Sequence, residues 1–222
     1  MYSSQFTYWR PRAGRDAERG LWEDNFATSA GALADIFKDF QIDIDEWARL
    51  MYGTKEEGFP TMRGGAMWHE ELQIVRAIYT VFQPTVAVEV GTFRGASLRA
   101  ARELHVPEHH YVFDIDPQVA AYVPAGVIFV KRDEHGPLNL PAAWDVGTLD
   151  DGHAKGCTRR WLDTLAQSSH VESVLIVHDM REESCGGDDR EAVTSFLRDK
   201  QGAWKGWEIR TPCGLAILRR KA

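Results

Sequence analysis

The spacing of apolar residues changes from helical to extended near Pro84. Residues 68–82 carry one stripe with the three- and four-residue spacing of a helix face, which consists of Leu72, Val75, Ile78 and Tyr79. Beyond it, continuous runs rich in β-branched residues occupy 85–90, 111–115, 127–130 and 174–177. Such runs are typical of strands buried on both faces, and the segments between them are long enough for helices. The pattern predicts an α/β fold with a parallel sheet.

The two ends of the chain follow different patterns. The last two apolar runs, 207–210 and 214–218, lie too close together for a helix between them, so they predict an antiparallel hairpin. Residues 1–60 carry aromatic and aliphatic side chains at helical spacing without strand-like alternation. They predict a helical N-terminal extension that serves as core, dimer contact or substrate lid, while residues 61–222 form the α/β domain.

Composition narrows the class of protein. The length of 222 residues and the mass of 25.1 kDa suit one α/β domain with a modest extension. The chain has no apolar run of membrane-spanning length and no apolar signal segment, so we expect a cytoplasmic protein that does not bind membranes. A formal net charge of −7 opposes nucleic-acid binding and favours a small-molecule substrate. The few, widely spaced cysteines indicate neither a disulfide framework nor a Cys-rich zinc site, and we expect each to be a small buried residue.

A glycine-rich turn links the first β-branched run to a predicted helix. In VAVEVGTFRGAS, Gly91 and Gly95 lie between Glu89 and a helix that begins near Ser97, with Leu104 on its apolar face. Glycines at such a turn let a ligand approach the backbone closely. An acidic side chain there repels the pyrophosphate of NAD or FAD but suits the positively charged aminoacyl end of S-adenosylmethionine (SAM). The turn therefore predicts a SAM site.

A second acidic segment, YVFDIDP, follows the second predicted strand. Asp114 stands where an acidic residue binds ribose hydroxyls in a βαβ unit, although Asp114 or, more readily, Asp116 can instead cap the next helix. After the third strand, Arg132 and Asp133 stand where an adenine edge would be met. The full set of predicted cofactor contacts is Glu89, Gly91, Thr92, Phe93, Gly95, Ser97, Asp114, Ile115 and Asp133.

Four segments carry a family resemblance in order along the chain. They are PTMRGGAMWHEEL before the first strand, the E-x-G-x-x-x-G-x-S turn, D-I-D-P after the second strand and D-D-G-H after a fourth strand that ends at Leu149, which makes the run at 174–177 the fifth. From about residue 60 onward the chain resembles the class I SAM-dependent methyltransferases, especially the small O-methyltransferases similar to catechol O-methyltransferase and the cephalosporin-hydroxylase-like branch. The resemblance implies O-methylation of a small-molecule hydroxyl.

The same resemblance implies a Rossmann-like, seven-stranded and mostly parallel sheet with a final antiparallel strand. It places Asp114 on the ribose and residues 62–65 in a loop over the cofactor. The residues that it places at the aminoacyl end of SAM are Glu89, Gly91, Gly95 and Ser97.

Polar side chains follow the fourth and fifth predicted strands, whose carboxyl ends should meet. Asp150 and His153 follow the fourth strand, and His178 and Asp179 follow the fifth. Methyl transfer to a hydroxyl requires removal of the acceptor's proton. His153 could act as the base near Asp150. Alternatively, Asp150 and Asp179, with His178, could bind a divalent metal such as Mg²⁺, and a histidine ligand would shift preference toward Mn²⁺, Fe²⁺ or Zn²⁺.

Other polar segments receive weaker assignments. We expect Asp151 to be exposed to solvent, and the same expectation covers His109, His110, His135 and His170. Residues 181–191 combine glycines with charge and predict a loop over the active site. Three other functions stay open: a SAM-binding relative that does not methylate, other chemistry on the same fold, and RNA modification through a basic patch at 10–19.

Overall fold

Helices and strands alternate along the described part of the chain. The structure, a computed structural model, describes residues 67, 69–132, 138–151, 155–180, 189–209 and 213–222. The helices are α1 (His69–Phe82), α2 (Ala96–Ala101), α3 (Cys157–Gln167) and α4 (Asp189–Asp199), with a 3-10 helix at Pro117–Tyr122. The strands are β1 (Val86–Val90), β2 (His109–Asp114), β3 (Val127–Lys131), β4 (Trp144–Leu149), β5 (Ser169–Val177), β6 (Trp204–Ile209) and β7 (Leu215–Arg220).

The strands form one seven-stranded sheet in the order β3-β2-β1-β4-β5-β7-β6. Strands β1 to β5 pair in parallel with one another, whereas β7 is antiparallel to both β5 and β6. This confirms the predicted Rossmann-like sheet with a terminal antiparallel hairpin. The strand order reverses at β1, which lies between β2 and β4. The carboxyl ends of β1 and β4 therefore border the crevice in which open α/β sheets bind ligands.

Several strands are longer than the apolar runs that predicted them. Strand β5 begins at Ser169, which pairs with Trp144 on β4 across a register shift. In the terminal hairpin, pairing extends to Trp204 and Arg220. Backbone hydrogen bonding does not require an apolar side chain, so a strand continues past the residues that face the core. The hydrophobic pattern consequently located β5 and the two strands of the terminal hairpin but shortened them.

Two apolar layers cover the sheet. Ala87, Val146 and Ile176 belong to the core cluster that includes α1 and α2, whereas alternate residues such as Val88 and Val177 belong to the cluster that includes α3 and α4. The division follows from the two-residue period of a strand. The predicted apolar stripe of α1 is buried in the first cluster. None of the described helices has the length and apolar character that crossing a membrane requires.

The expectation that Leu104 continues the apolar face of the second helix was wrong. Helix α2 ends at Ala101, where the backbone turns at Arg102, and Leu104 is 50% exposed. The two described cysteines, Cys157 and Cys213, are free thiols that are half-buried rather than buried.

The expected surface position of His110 was also wrong. His110 lies on β2 with its side chain fully buried toward α1, and its ring stacks on Tyr79 with 5.8 Å between the ring centroids. Burial lowers the pKa of His110 to about 3, so the ring is neutral at physiological pH. His109 and His170 are half-buried, while His135 and the predicted extension over residues 1–60 lie outside the described residues, as does the predicted loop 62–65.

Candidate active site

The turn after β1 depends on two glycines in the left-handed region. Gly91 has a φ of 72°, and a Cβ added there would lie 1.8 Å from the carbonyl oxygen of Asp150. Gly95 has a φ of 70°, and its added Cβ would lie 2.9 Å from the carbonyl oxygen of Tyr122. The sequence interpretation assigned these glycines to the approach of a ligand. The structure adds a second requirement, because the turn passes directly against the backbone that follows β4.

Glu89 is a fully buried acid on β1, beside this turn. Its Oε1 accepts a hydrogen bond from Ser97 Oγ at 2.9 Å, while its Oε2 accepts no well-formed hydrogen bond from a described residue. Burial, together with the nearby charges of Asp150 and Asp114, raises the pKa of Glu89 to about 7. A positively charged ligand group beside Oε2 would favour the ionised carboxylate. We name Glu89, Ser97 and Asp114 the turn cluster.

Asp114 ends β2 with both carboxylate oxygens fixed by backbone amides. Its Oδ2 accepts a hydrogen bond from Thr92 N at 3.0 Å, and its Oδ1 accepts one from Asp116 N at 2.9 Å. Each oxygen keeps a further lone pair, so the carboxylate can still accept hydrogen bonds from ligand hydroxyls. Asp116 instead caps the following 3-10 helix by accepting a hydrogen bond from Gln118 N at 2.9 Å. Of the two acids that could cap the next helix, Asp116 is therefore the one that does so.

Two apolar side chains stand exposed near the turn cluster. Phe93, which follows Thr92 in the turn, is 46% exposed, and Ile115, which follows Asp114, is 66% exposed. Exposed apolar surface next to fixed acceptors suits an aromatic ring that also carries hydroxyl groups. Arg132 follows the last residue of β3, and its guanidinium lies 5.9 Å from the ring centroid of Phe113. Asp133, the remaining predicted contact, lies outside the described residues.

The ends of β4 and β5 bring Asp150, His178 and Asp179 together. The Nδ1 of His178 lies 3.3 Å from Asp150 Oδ1 and 3.3 Å from Asp179 Oδ2. Pairing of Leu149 with Val177 places these side chains side by side, as expected for adjacent parallel strands. Asp179 has a φ of 58°, an uncommon conformation for a residue other than glycine and one that functional sites often contain.

Glu71 on α1 completes this group, and sequence reasoning missed it. Glu71 is fully buried, and its Oε2 lies 2.9 Å from the Nε2 of His178. Its Oε1 accepts a hydrogen bond from Cys213 N at 3.0 Å. The available signal was helical spacing, because Glu71 precedes Ile74, Val75 and Ile78 at the intervals of one buried face. We name Glu71, Asp150, His178 and Asp179 the histidine cluster.

The histidine cluster has a donor set that fits a divalent cation. One ligand atom from each of Asp150, His178 and Asp179 can be chosen so that all three lie within 4.8 Å of one another. Two carboxylate oxygens and one imidazole nitrogen suit first-row divalent ions. Burial alone would lower the pKa of His178, but the charge of Asp150 and hydrogen bonds with Asp150 and Asp179 outweigh burial and hold that pKa well above its ordinary value. A cation would therefore take the place of the imidazolium proton.

The expected exposure of Asp151 was wrong. Asp151 is only 8% exposed, and its Oδ1 accepts a hydrogen bond from Thr158 Oγ1 at 3.0 Å. The same hydroxyl also contacts Asp189, the first residue of α4. Through Thr158, Asp151 is therefore part of a contact between the N-terminal ends of α3 and α4. His153 and residues 181–188, the predicted base and most of the predicted loop, lie outside the described residues.

Comparison with known proteins identifies the fold. No protein-family model matches the sequence, and no curated protein matches it either. The structure is similar to the O-methyltransferase TomG from Streptomyces achromogenes, involved in tomaymycin synthesis and solved with SAM. That alignment has 13% identity and a TM-score of 0.60, and it covers 86% of this chain and 96% of the other.

Two further solved structures extend the comparison. An O-methyltransferase from Bacillus cereus, solved with SAH, aligns over 86% of this chain and 97% of its own with 10% identity and a TM-score of 0.56. Precorrin-6y C5,15-methyltransferase from Geobacter metallireducens aligns over 77% of this chain and 97% of its own with 13% identity and a TM-score of 0.58. The chain has the fold of class I SAM-dependent methyltransferases, a fold on which different acceptors are used.

Proposed function

We propose that this protein is an enzyme that transfers the methyl group of SAM to a hydroxyl group of a small molecule. The observation that carries the proposal is the pairing of two distinct clusters at one crevice. The turn cluster offers acidic acceptors for a cationic and hydroxylated cofactor, and the histidine cluster begins at Asp150, whose backbone abuts Gly91. Cofactor and acceptor would therefore be held side by side, as an in-line displacement requires.

The turn cluster supports the choice of cofactor. The Oε2 of Glu89 is a buried acceptor that makes no well-formed hydrogen bond with a described residue, and it suits the ammonium group of SAM. Asp114, held by two backbone amides, suits the ribose hydroxyls. A negative charge at Glu89 opposes the pyrophosphate of NAD or FAD. Two of the structural neighbours were solved with SAM or SAH.

The histidine cluster supports assistance by a divalent cation. Asp150, His178 and Asp179 would hold the ion, which when bound would lower the pKa of the acceptor hydroxyl and orient it. The two carboxylates would balance the charge of the ion, and the strand ends would fix their separation. His153 as a general base is the alternative route for the acceptor's proton. A small acceptor is favoured over nucleic acid by the formal net charge of −7.

Calorimetry and a transfer assay test this function together. We expect SAM and SAH to bind with dissociation constants on the order of micromolar, whereas NAD and FAD should not displace them. Methyl-labelled SAM should then pass its label to members of a panel of small catechols, phenols and sugars when Mg²⁺ or Mn²⁺ is present. Absence of SAM binding, or displacement of SAM by NAD at equal concentration, would contradict the assignment.

A SAM-binding protein without transferase activity is the second candidate. It is favoured by the contacts of His178, whose protonated ring lies against three carboxylates and offsets part of their negative charge without a metal ion. If this candidate is correct, divalent ions should not change SAM binding. No acceptor of the panel should then receive a methyl group. A metal-dependent transfer reaction rules it out.

A further inference from the structure

Glu71 reaches the strand ends from a helix that precedes the whole sheet in sequence. Its carboxylate is fully buried and receives one N–H from the backbone of Cys213, at 3.0 Å. Its second oxygen faces the ring of His178, 2.9 Å from Nε2. A buried carboxylate is stable only when such donors satisfy it. Glu71 therefore has a structural reason to keep a hydrogen-bond donor at Nε2.

The contact with Glu71 decides which nitrogen of His178 carries the proton. An ionised carboxylate only accepts hydrogen bonds, so Nε2 must be protonated to bond to it. In a neutral imidazole this leaves the lone pair on Nδ1. Nδ1 is the nitrogen that lies 3.3 Å from an oxygen of Asp150 and 3.3 Å from an oxygen of Asp179. Once a cation displaces the Nδ1 proton, the lone pair faces the position between the two carboxylates.

We propose that Glu71 is a positioning residue that holds His178 in the Nε2-protonated form, so that Nδ1 serves as a metal ligand together with Asp150 and Asp179. The inference rests on the cation site of the proposed function and extends it to a residue that would not touch the ion. A carboxylate behind a ligating histidine fixes the ring and raises its basicity. With an imidazole nitrogen in the donor set, the site should bind Mn²⁺ or Zn²⁺ more tightly than Mg²⁺.

Glu71→Gln is the direct test, measured as Mn²⁺ affinity in the absence of any acceptor. The glutamine side chain has one acceptor oxygen, and the N–H of Cys213 competes for it. If that oxygen faces Cys213, the amide NH₂ donates to Nε2, and the ring proton moves to Nδ1, where it blocks the ion. We expect Mn²⁺ binding to weaken about 10- to 100-fold, the usual effect of losing such a carboxylate. Binding of SAM without metal should change by less than about twofold.

Glu208→Gln is the matched control. Glu208 is a buried carboxylate on β6 that pairs with Arg190, with 3.3 Å between the charged atoms. Its neutralisation removes a buried negative charge without altering His178, so Mn²⁺ affinity should stay at the wild-type value. Equal Mn²⁺ affinity in wild type and Glu71→Gln overturns the role of Glu71 alone. Absence of Mn²⁺ and Zn²⁺ binding in the wild type overturns the cation site and this inference together, while SAM binding still reports on the turn cluster.

A measurement on the wild-type protein keeps the inference testable if Glu71→Gln does not fold. The ring nitrogens of His178 can be followed by nitrogen-15 NMR and assigned through their loss in His178→Gln. We expect a protonated, hydrogen-bonded Nε2 and a change at Nδ1 when Zn²⁺ is added. A change at Nε2, or protonation of both nitrogens at saturating Zn²⁺, overturns the inference.

Discussion

The turn cluster and the histidine cluster both contain acids that are buried or partly buried near the ends of the strands, but the two clusters hold these acids in different ways. In the turn cluster the acids are held by nearby groups, since Ser97 donates to Glu89 and Thr92 to Asp114. In the histidine cluster the acids converge on one imidazole, and Glu71 reaches it across 107 residues of sequence. The first arrangement leaves acceptors open for a cofactor, whereas the second surrounds a position that a cation can occupy. Under the proposed function the two clusters have separate roles: the turn cluster holds the cofactor, and the histidine cluster activates the acceptor.

Removal of divalent ions should have the largest effect among the tests of these separate roles. If the histidine cluster activates the acceptor through a cation, removal of divalent ions should abolish methyl transfer and leave SAM affinity within about twofold of its starting value. Asp179→Ala should reproduce both results, with kcat lowered by roughly 10² or more. Steady-state assays and calorimetry on the same preparations check this. Full activity after exhaustive chelation would instead favour His153 as the base.

Gly91 lies where the turn cluster meets the backbone of Asp150 in the histidine cluster. Its substitution should therefore reduce the stability of the fold itself, whether or not a ligand is bound. A Cβ at this position meets the carbonyl oxygen of Asp150, and the residue also has a positive φ. We expect Gly91→Ala to lower the free energy of unfolding by about 4 kcal/mol, the range of the severe core substitutions. Urea unfolding followed by circular dichroism measures the loss.

Gly202→Ala is the matched control for Gly91→Ala. Gly202 has a φ of 105°, but nothing lies within 4 Å of its added Cβ, so only the backbone conformation is penalised. That penalty is roughly 1–2 kcal/mol. Similar losses for the two variants would show that Asp150 does not press against the turn.

Asp114→Ala should weaken the function of the turn cluster and leave the histidine cluster unchanged. The substitution removes the acceptors for the ribose hydroxyls and also the hydrogen bond from Thr92 N. Hydrogen bonds to charged groups contribute about 1.5–3 kcal/mol, so SAM binding should weaken roughly 10- to 100-fold. Mn²⁺ affinity should remain at the wild-type value, because Asp114 is not part of the histidine cluster. A parallel loss of Mn²⁺ binding would mean that the two clusters act as one.

The sequence predicted that the residues of the turn cluster lie near one another, because they are close together in the chain. A buried strand, a glycine turn and an acid at the next strand end carry their own spacing, so Glu89 and Asp114 could be assigned to one predicted cofactor site from the sequence alone. Adjacency of β4 and β5 likewise followed from the α/β pattern, which brought Asp150 and His178 together. The role of Glu71 could not be predicted in this way. Its partner is set by how α1 crosses the sheet, and periodicity does not encode a crossing direction.

Buried polar residues show the same limit. His110 was expected at the surface because it lies near a predicted loop, but the position of its strand in the sheet and the packing of Tyr79 decided its burial. Asp151 was misjudged for a similar reason, since its partner Thr158 also contacts Asp189 on α4, 31 residues farther along the chain. Local pattern predicts which face of an element is apolar, whereas partners of buried polar groups depend on tertiary packing.

The smallest expected effect is the pH dependence of SAM binding at the turn cluster. Burial raises the pKa of Glu89 to about 7, so the apo protein holds a neutral carboxyl below that pH. The SAM ammonium group prefers the ionised form, and binding must then release the proton. The dissociation constant for SAM should therefore rise up to about tenfold per pH unit as pH falls below 7 and level off above it. Glu89→Gln should bind SAM more weakly, without this particular pH dependence.

The stability of the apo protein provides the complementary readout for Glu89. Its folded-state pKa lies above the ordinary value of 4.5, so its favourable contribution is present below pH 4.5 and is lost as pH rises through about 7. Relative to Glu89→Gln, the wild type should lose stability between pH 5 and 8, by about 3 kcal/mol at most. Saturating SAM should reduce this difference, because the ammonium group then stabilises the ionised carboxylate. Parallel pH profiles of unfolding for the two proteins would show that Glu89 is already ionised without a ligand, and the turn cluster would then need another source of positive charge.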